Sequence, residues 1–73
     1  MAYELWDAEY ANLLAEFSNE DAALAVVRDE VEIRGSNGVA HLALAYEDED
    51  GETHPIAAGA ALAERALRAI AIR

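Results

Sequence analysis

Cysteine and lysine are both absent from these 73 residues, proline and tryptophan occur once each, and glycine four times. Each gap removes a class of structure or function. Without cysteine there is no disulfide framework, and two histidines alone make no Cys/His zinc site, so the usual staples of a small domain are missing. Without lysine the cations are five arginines set against 15 carboxylates, a formal charge of −10. A chain this acidic is a poor ligand for phosphates, so direct binding of DNA or RNA is not expected. An anionic membrane surface would repel it as well. No run approaches the roughly 18 apolar residues needed to span a bilayer, and no charged segment followed by an apolar stretch opens the chain, so a cytoplasmic location is expected. Catalytic apparatus is equally sparse. Ser18 and Ser36, the only serines, occupy capping and turn positions, and no glycine loop is built to cradle a phosphate. An enzyme is therefore not expected, nor a cofactor.

Alanine and glutamate are the two commonest residues. The apolar fraction of 55% overstates the core, because 18 of the 40 residues behind it are alanine and only 17 are Leu, Ile, Val or Phe. One domain spanning residues 1–73 lies near the size at which a single core just offsets chain entropy. Self-association as a homodimer, or association with a partner, is the natural supplement. The acidic surface serves solubility and would also steer a basic protein toward the chain.

The first third alternates. Tyr3–Trp6 and Leu13–Phe17 are rich in aromatic and branched residues and flank a polar stretch with Asp7, Glu9 and Asn12, which predicts a hairpin. Its register is open: a four-residue loop ending at Ala11 sets Trp6 opposite Leu13, and a five-residue loop ending at Asn12 puts Trp6 on one face with Leu14. A one-residue slip exchanges the inward and outward sets. From about Asn19 to Arg34 the spacing of Leu24, Val27 and Val31, with Ala23 beside them, predicts a helix, capped by Ser18 and closed by Arg34 and Gly35. Val26 and Ile33 fall off the stripe.

Gly35–Gly38 reads as a turn, followed by a strand from about His41 to Glu47 and another from about Thr53 to Ala58. Between them lies Glu47-Asp48-Glu49-Asp50-Gly51-Glu52, five carboxylates around one glycine, a hairpin tip. A three-residue loop Glu49–Gly51 with Gly51 left-handed sets Asp48 opposite Glu52, Tyr46 opposite His54, Leu44 opposite Ile56 and Leu42 opposite Ala58. Pro55 cannot donate to a ladder and points to an edge strand. A last helix from about Gly59 to Ile70 groups Leu62, Ala63, Ala66, Leu67 and Ile70, with Glu64, Arg65 and Arg68 facing away. The order ββαββα predicts a two-layer α+β domain: a four-stranded antiparallel sheet with both helices on one face and the other face open.

Three sites can be weighed on residues alone. The acidic tip suits a hard cation, but the EF-hand pattern requires an acid five residues before the glycine and a glutamate six after it, where Tyr46 and Ala57 stand. His41 and His54 fall far apart on opposite faces, so a shared metal is not expected. Tyr46 beside His54 is a candidate ligand face, the basis of an alternative reading as a small-ligand or metal-binding accessory domain. The lone Trp6, with Tyr3, Tyr10 and Leu14, is the first candidate for a contact surface, since an aromatic on an uncovered sheet face is what a protein interface uses.

The residues Tyr3-Glu4-Leu5-Trp6-Asp7, Asn12-Leu13, Ala23-Leu24, Val27-Arg28, Leu42-Ala43-Leu44, Glu47-Asp48, Gly51 and Ile56-Ala57 through Gly59 resemble a set of short bacterial proteins that bring no established activity. Residues 3–34, a hairpin whose second strand ends in Phe17 followed by an acidic first helical turn and Ala23-Leu24, are similar to the N-terminal part of HicB-type antitoxins. That resemblance implies oligomerisation and binding of a small basic RNA-cleaving toxin. The DNA-binding element of such antitoxins has no counterpart in Leu62–Arg73, so autoregulatory DNA binding is not carried over. The sequence therefore points to a non-enzymatic, acidic protein-interaction module, antitoxin-like, that masks a basic partner.

Overall fold

The computed structural model describes residues 2–71, with the side chains of Ser36, Ile70 and Ala71 left aside. Strand β1 (Ala2–Asp7) turns into β2 (Asn12–Phe17), helix α1 (Glu20–Arg34) follows, and a short 3-10 turn (Ser36–Val39) leads to β3 (Leu42–Glu47), β4 (Thr53–Ala58) and helix α2 (Gly59–Ala71). The four strands form one antiparallel sheet in the order β2-β1-β3-β4. Both helices pack on the same face: Leu5, Leu42 and Leu44 from the central strands meet Ala23, Leu24 and Val27 of α1 and Leu62, Ala63 and Ala66 of α2. The result is the two-layer ββαββα domain that the sequence predicts, a slab of 34 × 31 × 16 Å.

Why α1 starts where it does differs from expectation by one residue. Asn19 is the N-cap, in extended conformation, and its side-chain oxygen accepts from the Ala22 backbone N–H at 2.8 Å, so Ser18 is displaced from that role. Either residue can supply the acceptor, and the one with β-region backbone immediately before the first helical turn takes it. At the other end Gly35, at φ +74°, closes the helix with its N–H donating to Val31 O at 2.7 Å. Val39, in the connecting turn, is fully buried, whereas Ala40 is exposed, so the core continues through the turn before β3 begins at Leu42. On α2 Leu67 is 47% exposed and stands outside the buried stripe, and the expected place of the Ile70 side chain lies outside the described residues.

Each hairpin carries a register shift. In the first, Asp7 pairs Asn12 and Trp6 pairs Leu13, the four-residue loop; beyond a bulge at Leu14 the pairs become Leu5–Ala15, Glu4–Glu16 and Tyr3–Phe17. Both registers left open by the sequence are thus used, one on each side of Leu14. Ala11, at φ +56°, takes the left-handed turn position, and Asp7 Oδ1 accepts from the Glu9 and Tyr10 N–H groups to hold the loop. In the second hairpin Gly51 is left-handed at φ +82°, Asp48 N donates to Glu52 O, and Tyr46 pairs His54, all as expected. Further along, a bulge at Ile56 replaces the expected Leu44–Ile56 and Leu42–Ala58 pairs with Leu44–Ala57 and Ala43–Ala58. The extra residue lets both Ile56 and Ala57 pack on the core, which a regular strand, turning alternate side chains outward, does not allow. Pro55 lies in β4, an edge strand, as a residue without a donor should.

Candidate functional site: the open face of the sheet

Strand alternation sorts the sheet residues into two faces, and the pairings fix the rows. On the helix-bearing face Phe17, Tyr3, Tyr46 and His54 line up across all four strands, with Tyr3 and Tyr46 ring centroids 5.2 Å apart and Tyr46 and His54 stacked at 6.3 Å. On the opposite face one row reads Leu13, Trp6, Ala43, Ala58 and the next reads Glu16, Glu4, Ala45, Pro55. A third row holds Ala2, Glu47 and Thr53. No described element packs over these rows, since the core residues of both helices meet the other side.

The open face therefore has a floor of alanines along β3, bordered by Trp6 and Leu13 on one side and Pro55 on the other. Leu13 is 42% exposed. Glu4, in contrast, is only 6% exposed, an unusual place for a carboxylate on an uncovered sheet face. The Trp6 indole N–H donates to Glu4 Oε1 at 3.2 Å. Glu16 is directly across from it on β2 and exposed, so two like charges face each other.

The described arginines lie on the other layer. Arg28 and Arg34 belong to α1, Arg65 and Arg68 to α2, and each is engaged with helix carboxylates: Arg28 with Asp29 and Glu32, Arg34 with Glu30, Arg68 with Glu64. Arg65 reaches across to Glu20 Oε2, at 2.8 Å from Nη2 and 3.2 Å from Nε, and ties the two helices together. Among the described residues the open face thus carries Glu4, Glu16 and Glu47 and no arginine.

The four residues singled out as a contact surface do not share one. Trp6 is on the open face, Tyr3 on the opposite one, Tyr10 at the hairpin tip with 69% exposure, and Leu14 beside the helix-side cleft of about 320 Å³ that Val26, Leu42 and His41 also line. What sequence reasoning missed is the set Glu4, Leu13 and Glu16. The signal was available for Glu4, which must share the face of Trp6 by alternation, and for Glu16 only in the five-residue-loop register, which sets it opposite Glu4.

The candidate ligand face is partly assembled. Asp48 Oδ2 and His54 Nε2 lie 2.7 Å apart, and ligand atoms of Asp48, Glu52 and His54 fall within 4.8 Å of one another. Asp48 Oδ1 accepts from the Asp50 and Glu52 N–H groups at 2.9 and 3.0 Å. The His54 hydrogen bond, foremost, and these backbone donors hold the Asp48 carboxyl below its ordinary 3.8. Tyr46 backs the His54 ring but contributes no ligand atom to this group. His41 lies at the far end of β3, its carbonyl accepting from Ala8 N–H at 2.7 Å. No protein-family model, curated protein or solved structure matches this chain.

Proposed function

We propose that this chain is a non-enzymatic interaction module that binds and masks a basic protein, in the manner of an antitoxin, through the open face of its sheet. The observation that carries the reading is the one-sided placement of the described cations: Trp6 and Leu13 lie beside three carboxylates with no arginine on the open face, while every described arginine is on the helix layer, paired with helix carboxylates. A partner with arginine or lysine around an apolar strip meets complementary charge there and is steered toward it by the net charge of −10. A second copy docking by the same face sets carboxylate against carboxylate, so the heterologous partner is favoured over the homodimer.

The test is calorimetric titration with a short arginine- and lysine-rich peptide at low salt. Affinity should fall at least about tenfold between low salt and 0.3 M, and Trp6→Ala should weaken binding by a similar factor, as expected of a central aromatic anchor. Salt-independent binding, or a Trp6→Ala variant that binds like the wild type, refutes the reading. Light scattering of the free chain reports on self-association.

The second reading is divalent-cation binding at the β3–β4 turn, favoured by the convergence of Asp48, Glu52 and His54. One imidazole and two carboxylates suit zinc or nickel better than calcium. Zinc should then raise the melting temperature, and His54→Ala should abolish that rise.

A further inference from the structure

Exposed apolar side chains gather on one flank of the molecule. Of the six large hydrophobic residues exposed among the described residues, Tyr10, Leu13 and Leu14 belong to the first hairpin, Val26 and Ile33 to α1, and Leu67 to α2. Leu14 and Val26 line one cleft of about 320 Å³, which Leu5 and Leu42 of the core also line. Ile33 is seven residues beyond Val26 and so on the same side of the helix, at 75% exposure. A single exposed leucine needs no explanation, but a group of this kind at a cleft marks an interaction surface. The bulge in β2 contributes to it by turning Leu14 as well as Ala15 to the helix side, where Leu14 stays 52% exposed. On the same flank β2 is an outer strand with no neighbour beyond it. The other outer strand, β4, is guarded by Pro55, whereas β2 has no proline and one charged residue, Glu16.

We propose that a second copy of the chain docks on this flank, β2 and α1 of one copy against β2 and α1 of the other about a two-fold axis. Charge selects the occupant. The titratable groups lining the cleft are Glu30, Arg34 and His41, one carboxylate against one guanidinium and one imidazole, so a basic protein finds no excess of negative charge there. An acidic protein with apolar side chains on a free strand edge fits instead, and this chain, at −10 with Leu14, Val26 and Ile33 exposed, is one. A two-fold contact is self-complementary, so each copy covers the apolar flank of the other with the same residues. Aligning the two β2 strands antiparallel about Leu14 and Ala15 sets Glu16 across from Leu13 of the second copy, so no like charges meet along the edge. The open face stays uncovered in both copies, which makes this contact independent of the basic partner proposed above.

Sedimentation velocity of the full chain, from about 5 to about 500 µM, tests this at low salt and at about 0.3 M. A dimer should form and should tighten at least about threefold with salt, because screening relieves the repulsion between two acidic copies and leaves the apolar contact in place. Leu14→Asp and Ile33→Glu, both at exposed positions, should each weaken the dimer at least about tenfold while the far-UV circular dichroism stays that of the folded chain. Leu67→Glu adds the same charge at an exposed position on α2 and should leave the dimer unchanged. A chain that stays monomeric at the highest concentration in salt overturns the contact. So does a dimer that loosens with salt, one that either Leu14→Asp or Ile33→Glu leaves intact, or one that Leu67→Glu weakens as much. None of these results touches the basic-peptide titration on which the open face depends.

Discussion

Single side chains decide two things here, the packing of a thin core and the state of one turn. Leu44 is 1% exposed and sits between both helices and the sheet, so Leu44→Ala should cost about 2–5 kcal/mol. That is a large share of what a domain of this size has, a few to about 10 kcal/mol. Urea unfolding should show a clear drop in midpoint. Asp48 offers a pH signature. Its carboxyl is held below 3.8 by the His54 hydrogen bond and by the Glu52 and Asp50 amides. A depressed carboxylate contributes stability that is fully present above the unfolded value and lost as pH falls through the folded one. Asp48→Asn should therefore lower the melting temperature at neutral pH, with the gap to wild type closing as pH drops below about 4. A gap that stays constant down to pH 2 would show that the turn gains nothing from the ionised group.

At the level of elements, caps and bulges set the boundaries. Asn19→Ala removes the acceptor for Ala22 N–H and should cost about 0.5–2 kcal/mol, whereas Ser18→Ala should be close to neutral. Measuring both by thermal melts separates the two candidate caps directly. Helices and strands were legible because apolar periodicity and turn residues agree: Leu24, Val27 and Val31 mark α1, and Gly51 marks the second turn. Registers were not. The bulges at Leu14 and Ile56 leave no local signature, since each exists to keep neighbouring apolar side chains on the core or at its edge once the helices are in place. Val39 is illegible in the sequence for a related reason. A valine after two glycines reads as loop until the turn is folded under α1 and α2.

For the whole molecule, charge sets opposing responses to salt. A net −10 on 73 residues repels itself in the compact state, so the melting temperature should rise as salt is raised to about 0.3 M, by screening. Binding of a basic peptide should weaken over the same range, because the same field attracts it. Opposite slopes from one preparation distinguish the two effects, and parallel slopes would contradict the proposed docking. The placement of the described arginines on the helix layer gives the molecule its sidedness. No helix among the described residues is long and apolar enough to cross a membrane.

The candidate site was half legible. Trp6 was singled out as a lone aromatic, and the open face followed from two helices sharing one side of a sheet. Its expected companions Tyr3 and Leu14 are near it in the chain but not on its face: alternation puts Tyr3 on the other face and the bulge turns Leu14 to the helix side.

The order of residues alone determined the element order, the layer arrangement and the negative field, because periodicity, capping and charge count are local or additive properties. Only the folded sheet decided which carboxylates confront each other and beside which aromatic. That is a matter of strand register, and register is set by how the core closes rather than by any short stretch of chain.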